Sequence, residues 1–181
     1  MPTLLAACVV SALRPDAGSV GITAIDKHPT VGPIKVGRLG LYADVQADRK
    51  NHGGHDKALY VYAQEDAEFW AAELGRVLTP GWFGENLRVS GLDVSNARVG
   101  ERWRIGGTVE VEVTMPRSPC ATFARWVGGA DERGWVKCFA TEGRLGAYLR
   151  VIRTGPIAAG DEIEVLASPA DAPTILEVFR S

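Results

Sequence analysis

Apolar positions along the chain fall in short runs, several with period two, broken repeatedly by glycine and proline. That pattern predicts many short strands and few helices. Leu4–Ser11 lies in the longest apolar run and reads as a buried first strand, joined through Arg14-Pro15-Asp16-Ala17-Gly18 to a second strand at Val20–Ile25. Ala58–Tyr62 is β-branched and aromatic enough for a strand. Arg102–Ile105 and Thr108–Met115 flank Gly106-Gly107, and Val109, Val111 and Val113 alternate with glutamates, which predicts a hairpin with one face buried. Tyr148–Arg153 and Glu162–Leu166 read as the closing strands, with turns at Gly155-Pro156 and Gly160-Asp161. Helical spacing is confined to Glu65–Leu74, where Ala67, Trp70, Ala71 and Leu74 recur on one face and Gly75 sits as the C-terminal cap. Shorter helical stretches are expected over Ala121–Val127 and Thr174–Arg180. The predicted class is mainly β with a few short helices (α+β), the strands forming a closed or nearly closed β-barrel.

Composition narrows the function. The chain has 181 residues, enough for one domain with its own core, and its 21 glycines and 10 prolines exclude a helical bundle. Lys and Arg total 20 against 22 Asp and Glu, so no basic excess supports general nucleic-acid binding. The apolar run Leu4–Leu13 is too short to cross a bilayer and lacks the basic flank of a signal peptide, so no membrane partner is expected. Three cysteines, Cys8, Cys120 and Cys138, are too few and too scattered for a disulfide framework, and a reducing, cytoplasmic location is expected.

Three segments carry candidate chemistry. In Arg117-Ser118-Pro119-Cys120 the cysteine stands at the expected first turn of a helix. Free backbone N–H groups there, with Arg117 and Arg125, favour the thiolate, the form that attacks or binds metal. Cys8 and Cys138 lie in apolar or mixed segments and read as small buried hydrophobes. In His52-Gly53-Gly54-His55-Asp56-Lys57 the glycines allow close backbone approach to a ligand, while two histidines alone make a weak metal signal. Pro80-Gly81-Trp82-Phe83-Gly84-Glu85-Asn86-Leu87 reads either as a pocket wall with one polar contact point or as a tight turn plugging a barrel end. Lys27-His28-Pro29 adds one further cation.

Taken together, these segments resemble the MOSC domain shared with the C-terminal part of molybdenum-cofactor sulfurases, and most of all the small bacterial proteins linked to resistance against 6-N-hydroxylaminopurine. The resemblance runs in order through Ala24-Ile25-Asp26-Lys27-His28-Pro29, Gly32-Pro33, Gln46-Ala47-Asp48-Arg49-Lys50-Asn51-His52-Gly53-Gly54 and Asp56-Lys57-Ala58. It continues through Leu78-Thr79-Pro80-Gly81, Phe83-Gly84-Glu85-Asn86-Leu87, Pro116-Arg117-Ser118-Pro119-Cys120 and Gly160-Asp161. It implies a β-barrel that binds the molybdenum cofactor (molybdopterin), with Cys120 as the protein ligand to molybdenum and the pterin dithiolene supplying two further sulfurs. Lys27, Arg49, His52, Lys57, Asn86, Arg117 and Ser118 match family motifs and are implied members of the cofactor pocket, His52 also as proton donor. The implied reaction is two-electron reduction of a small N-hydroxylated base or related compound, with electrons from an external donor protein. Two departures stand out. A domain is expected at 1–167 with residues 168–181 as a short tail, where the resemblance implies a three-helix domain. Ala43 stands in Leu41-Tyr42-Ala43-Asp44 where the family usually has glycine. His55 takes a place where another residue is common and is not carried over.

Other readings use the same residues. Cys120 could carry a persulfide in a cofactor-handling or sulfur-carrier protein. His52, His55 and Cys120 would suffice for an open zinc site in a hydrolase. A non-enzymatic small-ligand or interaction barrel would need none of them.

Overall fold

The computed structural model describes residues 1–47, 53–129 and 133–181. Eleven strands are named in chain order: β1 (Thr3–Pro15), β2 (Ile22–Pro29), β3 (Ile34–Gly37), β4 (Gly40–Leu41), β5 (Leu59–Ala63), β6 (Leu87–Ser90), β7 (Arg102–Ile105), β8 (Val109–Pro116), β9 (Ala147–Arg153), β10 (Gly155–Ile157) and β11 (Ile163–Ala167). Four short helices interrupt them: α1 (Gln64–Leu74), α2 (Ala121–Gly128), α3 (Trp135–Glu142) and α4 (Ile175–Arg180). The class is thus mostly β with short helices, as the alternating pattern predicts.

Eight strands form one sheet in the order β11-β7-β8-β9-β5-β6-β1-β2, and β10-β3-β4 form a second, smaller sheet. Within the large sheet the β5–β6 pair is parallel and is joined through α1, since a parallel pair needs a crossover rather than a tight turn. The strand order has two ends, so the ladder does not close into the expected barrel. The ends nevertheless curl together. Leu4 N–H donates to the Asp161 carbonyl at 2.9 Å, Gly160 N–H to the Leu4 carbonyl at 2.8 Å, and Ile163 N–H to the Pro2 carbonyl at 2.8 Å.

Both faces of the central strand β5 are covered, and its period-two alternation sorts the core into two. Leu59, Val61 and Ala63 join an aliphatic cluster with Leu87, Val89, Val111 and Leu149. Tyr60 and Tyr62 face the other way, into an aromatic cluster with Trp70, Phe83, Phe123, Trp135, Phe139 and Tyr148. Helices α1, α2 and α3 contribute Trp70, Phe123 and the pair Trp135 and Phe139 to this second layer. The aromatic layer matters for function because Tyr60, Phe83 and Tyr148 also line a cleft beside β2.

Several expectations shift. The second strand begins at Ile22 rather than Val20 and runs on through Lys27 to Pro29. Gly155-Pro156, expected as a turn, opens β10, where Pro156 pairs with Lys35 at the edge of the small sheet. Proline is tolerated there because one side of an edge strand needs no N–H donor. Helix α1 keeps its predicted face, and Gly75 caps it at φ 61°, donating to the carbonyls of Ala71 and Ala72. Helix α4 begins at a capping box: Glu177 N–H donates to Thr174 Oγ1 and Thr174 N–H donates to the Glu177 carboxylate. Cys8 is buried as expected, whereas Cys138 is exposed on α3. No helix among the described residues is long and apolar enough to cross a membrane.

Ala43 is the one described non-glycine residue in the left-handed region, at φ 67°. A Cβ there costs roughly 1–2 kcal/mol, partly offset by the lower unfolded-chain entropy of alanine relative to glycine. Ala43→Gly is therefore expected to raise stability by roughly 0.5–1 kcal/mol, read as a higher denaturant midpoint with an unchanged slope.

Candidate active site

The site is a cleft of about 200 Å³ where β2, the segment after β4, β5, the loop before β6, the start of α2 and β9 meet. Its walls are set by buried polar contacts that the local sequence explains.

The loop before β6 wraps around its own carboxylate. Glu85 accepts hydrogen bonds from the backbone N–H groups of Gly81 (2.7 Å) and Phe83 (2.9 Å), and from Arg88 Nε (2.9 Å) and Nη2 (2.6 Å). Both side chains are completely buried. Gly81 has φ 94°, and a Cβ there would stand 2.2 Å from the Lys27 carbonyl oxygen, so glycine alone lets this loop press against β2. Phe83, Gly84 and Asn86 thereby form one wall of the cleft. Asn86 is fixed on both sides: its Oδ1 accepts from Tyr60 N–H at 3.2 Å, and its Nδ2 donates to Asp44 Oδ2 at 2.7 Å.

Asp44 also accepts from Lys27 Nζ at 2.5 Å and from the Val10 N–H at 2.9 Å. Lys27 faces the cleft from β2 with its charge answered by this carboxylate. Lys57 enters from a single 3₁₀ turn, His55–Lys57, and its ammonium stands 5.7 Å from the Tyr148 ring centroid.

Arg117 and Cys120 occupy the segment between β8 and α2. The Arg117 side chain packs between the rings of Phe123 (4.6 Å) and Tyr60 (5.5 Å). Its Nη1 is buried and has no hydrogen-bond partner among the described residues. Burial opposes the Arg117 charge, but Tyr60, Cys120 and Tyr148 more than offset it and hold the guanidinium above its ordinary range. Burial likewise raises the Tyr148 phenol, with Arg117 pulling against it. Cys120 is half-buried at the position before α2, in extended conformation, and its carbonyl accepts the first helical bond from Ala124. Backbone N–H groups of the first helical turn and the Arg117 guanidinium thus both favour negative charge near its sulfur. Cys8 is the opposite case. Burial, reinforced by Glu85, pushes its thiol up to about 12, so it stays protonated and inert.

Arg125, the second arginine expected beside Cys120, makes a two-pronged pair with Asp16: Nε donates to Oδ1 at 2.8 Å and Nη2 to Oδ2 at 2.7 Å. Thr122 Oγ1 donates to the same carboxylate at 2.9 Å, latching the β1–β2 turn to the first turn of α2. Beyond the latch, half-exposed Val20, Ile22 and Val45 form an apolar outer wall of the cleft. The Arg125 hydrogen bonds hold Asp16 down at about 2, from an ordinary value of 3.8. A depressed carboxylate stabilises the fold fully above its ordinary value and loses that contribution as pH falls through about 2. Melting curves for wild type and Asp16→Asn are therefore expected to differ most at neutral pH and to converge as the pH approaches 2.

Of the residues singled out from the sequence, Lys27, Lys57, Asn86, Arg117 and Cys120 come together in this cleft. Ser118 is exposed and does not line it, and His55 is exposed on the 3₁₀ turn. Arg49 and His52 lie outside the described residues. Among the described residues, no group of three His, Cys, Asp or Glu side chains stands together as a metal site. Asp44, Tyr60 and Tyr148 belong to the site without having been singled out. Tyr60 and Tyr148 are direct cross-strand partners on β5 and β9 and look in sequence like ordinary strand aromatics.

The profile of the MOSC domain matches residues 48–164. An uncharacterized protein, YflK, of Bacillus subtilis is 37% identical over 145 residues, covering 80% of this chain and 64% of its own length. Protein YiiM of Escherichia coli is 32% identical over 152 residues, covering 82% of this chain and 66% of its own. The chain thus spans just under two thirds of these relatives. A protein of Gibberella moniliformis named as a reductase is 31% identical over 94% of this chain, which corresponds to 31% of that protein. Among solved structures, YiiM from Geobacillus stearothermophilus superposes with a TM-score of 0.78 at 26% identity, covering 99% of this chain and 83% of that one.

Proposed function

This chain belongs to the MOSC domain family, and from that premise we propose that its cleft binds the molybdenum cofactor and reduces N-hydroxylated bases or related compounds. The observation that carries the reading is the pairing, in one cleft, of a thiol at a helix start with a buried guanidinium whose Nη1 has no hydrogen-bond partner among the described residues. A soft sulfur ligand suits molybdenum, and an unsatisfied buried donor suits the phosphate of the pterin. Kinship with a reductase supports the reaction class.

Cys120 would hold the metal, and Arg117 the phosphate, with Lys57 and Asn86 beside them. When bound, the molybdenum centre supplies the two electrons that break the N–O bond. The chain's own work is binding, orientation and proton supply. Val20, Ile22 and Val45 offer an apolar wall to the flat part of a substrate. Tyr60 donates its hydroxyl proton to the Leu145 carbonyl at 2.8 Å and so supports the wall instead of supplying protons. His52 is the proposed proton donor, since an imidazole titrates near working pH. The electron donor is proposed to be a separate protein and the location cytoplasmic.

The test is conversion of 6-N-hydroxylaminopurine to adenine by cofactor-loaded protein with an artificial reductant. Turnover that disappears in Cys120→Ser supports the reading. Loaded protein that fails to turn over any N-hydroxylated compound, yet transfers sulfur from Cys120, would favour the sulfur-carrier reading instead.

A further inference from the structure

Two walls of the cleft and the strand β1 meet on one carboxylate. Asp44 Oδ2 accepts Lys27 Nζ at 2.5 Å from β2 and Asn86 Nδ2 at 2.7 Å from the loop before β6, while Oδ1 accepts the Val10 N–H of β1 at 2.9 Å. The Lys27 and Asp44 side chains are only 8% and 7% exposed, so water screens the pair little. Asp44 is aimed there by the left-handed backbone of the preceding Ala43. Lys27 and Asn86 line the cleft, and Asp44 sits behind them. A ligand anion therefore meets Lys27 as one end of a dipole and not as a full positive charge, whereas Arg117 keeps a buried N–H donor without a partner among the described residues.

We propose that Asp44 is a positioning residue that sets the charge of the anion cradle: it neutralises Lys27 and holds Asn86, leaving anion capture to Arg117. The inference deepens the cofactor-binding reading and rests on its claim that the cleft cradles a phosphate.

Calorimetric binding of inorganic phosphate and of pyrophosphate to the full chain tests this without any cofactor. Asp44→Asn keeps the side-chain shape but uncovers the Lys27 charge. It is expected to tighten phosphate binding roughly tenfold, pyrophosphate binding by more, and to steepen the loss of affinity with added salt. Lys27→Gln leaves Asp44 uncompensated and is expected to weaken binding by about the same factor. The double variant restores the balance and should return to within about twofold of wild type. A merely structural Asp44 predicts something different: both single variants weaken binding in step with a lowered melting midpoint, and the double variant is no better. That pattern overturns the proposal, and so does unchanged affinity in Lys27→Gln, which serves if Asp44→Asn does not fold. Phosphate affinity unchanged in Arg117→Met contradicts the cradle itself and removes the premise, a failure distinct from the failure of Asp44 alone.

Discussion

Glu85→Ala is expected to cost about 3–5 kcal/mol of folding stability, a large share of what a domain of this size possesses. The carboxylate is completely buried and receives four donors, two from Arg88 and two from the backbone of its own loop. Deleting it leaves a buried guanidinium without its counter-charge, with only Gln64 Oε1 (3.0 Å) and the Thr79 carbonyl (3.3 Å) accepting from it among the described residues. It also releases the N–H groups of Gly81 and Phe83, the residues that press the loop against β2 and stack Phe83 on Tyr62 at 4.1 Å. Both effects act in the same direction, and neither can be repaired by water without opening the aromatic layer. Glu85→Gln keeps the shape but not the charge and should fall between wild type and alanine. Urea unfolding measures both variants, and a loss under about 1 kcal/mol for alanine would mean that Phe83 burial, not the ion pair, holds the loop.

Arg117→Met should show the opposite division of effects. Phosphate affinity is expected to fall roughly 10–100-fold, the range of a charge-assisted hydrogen bond lost from a buried site. Folding stability should stay within about 1 kcal/mol of wild type, because a flexible apolar side chain fills the place of a guanidinium whose Nη1 has no hydrogen-bond partner among the described residues. Methionine can still pack between the Tyr60 and Phe123 rings that now flank the guanidinium. A residue that the ligand needs far more than the fold does is what a binding role predicts. Equal losses of affinity and stability would make Arg117 a structural residue.

These contrasts show which features local sequence could carry. The β7–β8 hairpin and α1 were legible because a single rule settles each: strict alternation with one buried face, and helical spacing ended by a left-handed glycine. Helix α3 was not, since eight residues follow a glycine with no side-chain cap, and its Trp135 and Phe139 are explained only by the aromatic layer they fill. Strands β3, β4 and β10 are two to four residues long and exist through pairing with one another, which no local pattern announces. The barrel expectation named the short-strand character correctly but not the open ladder, whose curl rests on a few long-range backbone bonds between the start of β1 and the start of β11. In the site, Arg117 and Cys120 were visible because chemistry and helix start coincide within four residues. Asp44 was not, because its importance comes from the backbone at Ala43 and from partners 17 and 42 residues away in sequence.

The central claim is that Cys120 holds molybdenum in this cleft. Its most direct test is molybdenum content per chain for wild type and Cys120→Ala, both expressed in a host that makes the cofactor. The account predicts near-stoichiometric molybdenum in wild type and its loss in the variant, with the variant's melting midpoint kept. Folded, cofactor-exposed wild type without molybdenum, or molybdenum that persists when Cys120 is gone, would contradict it.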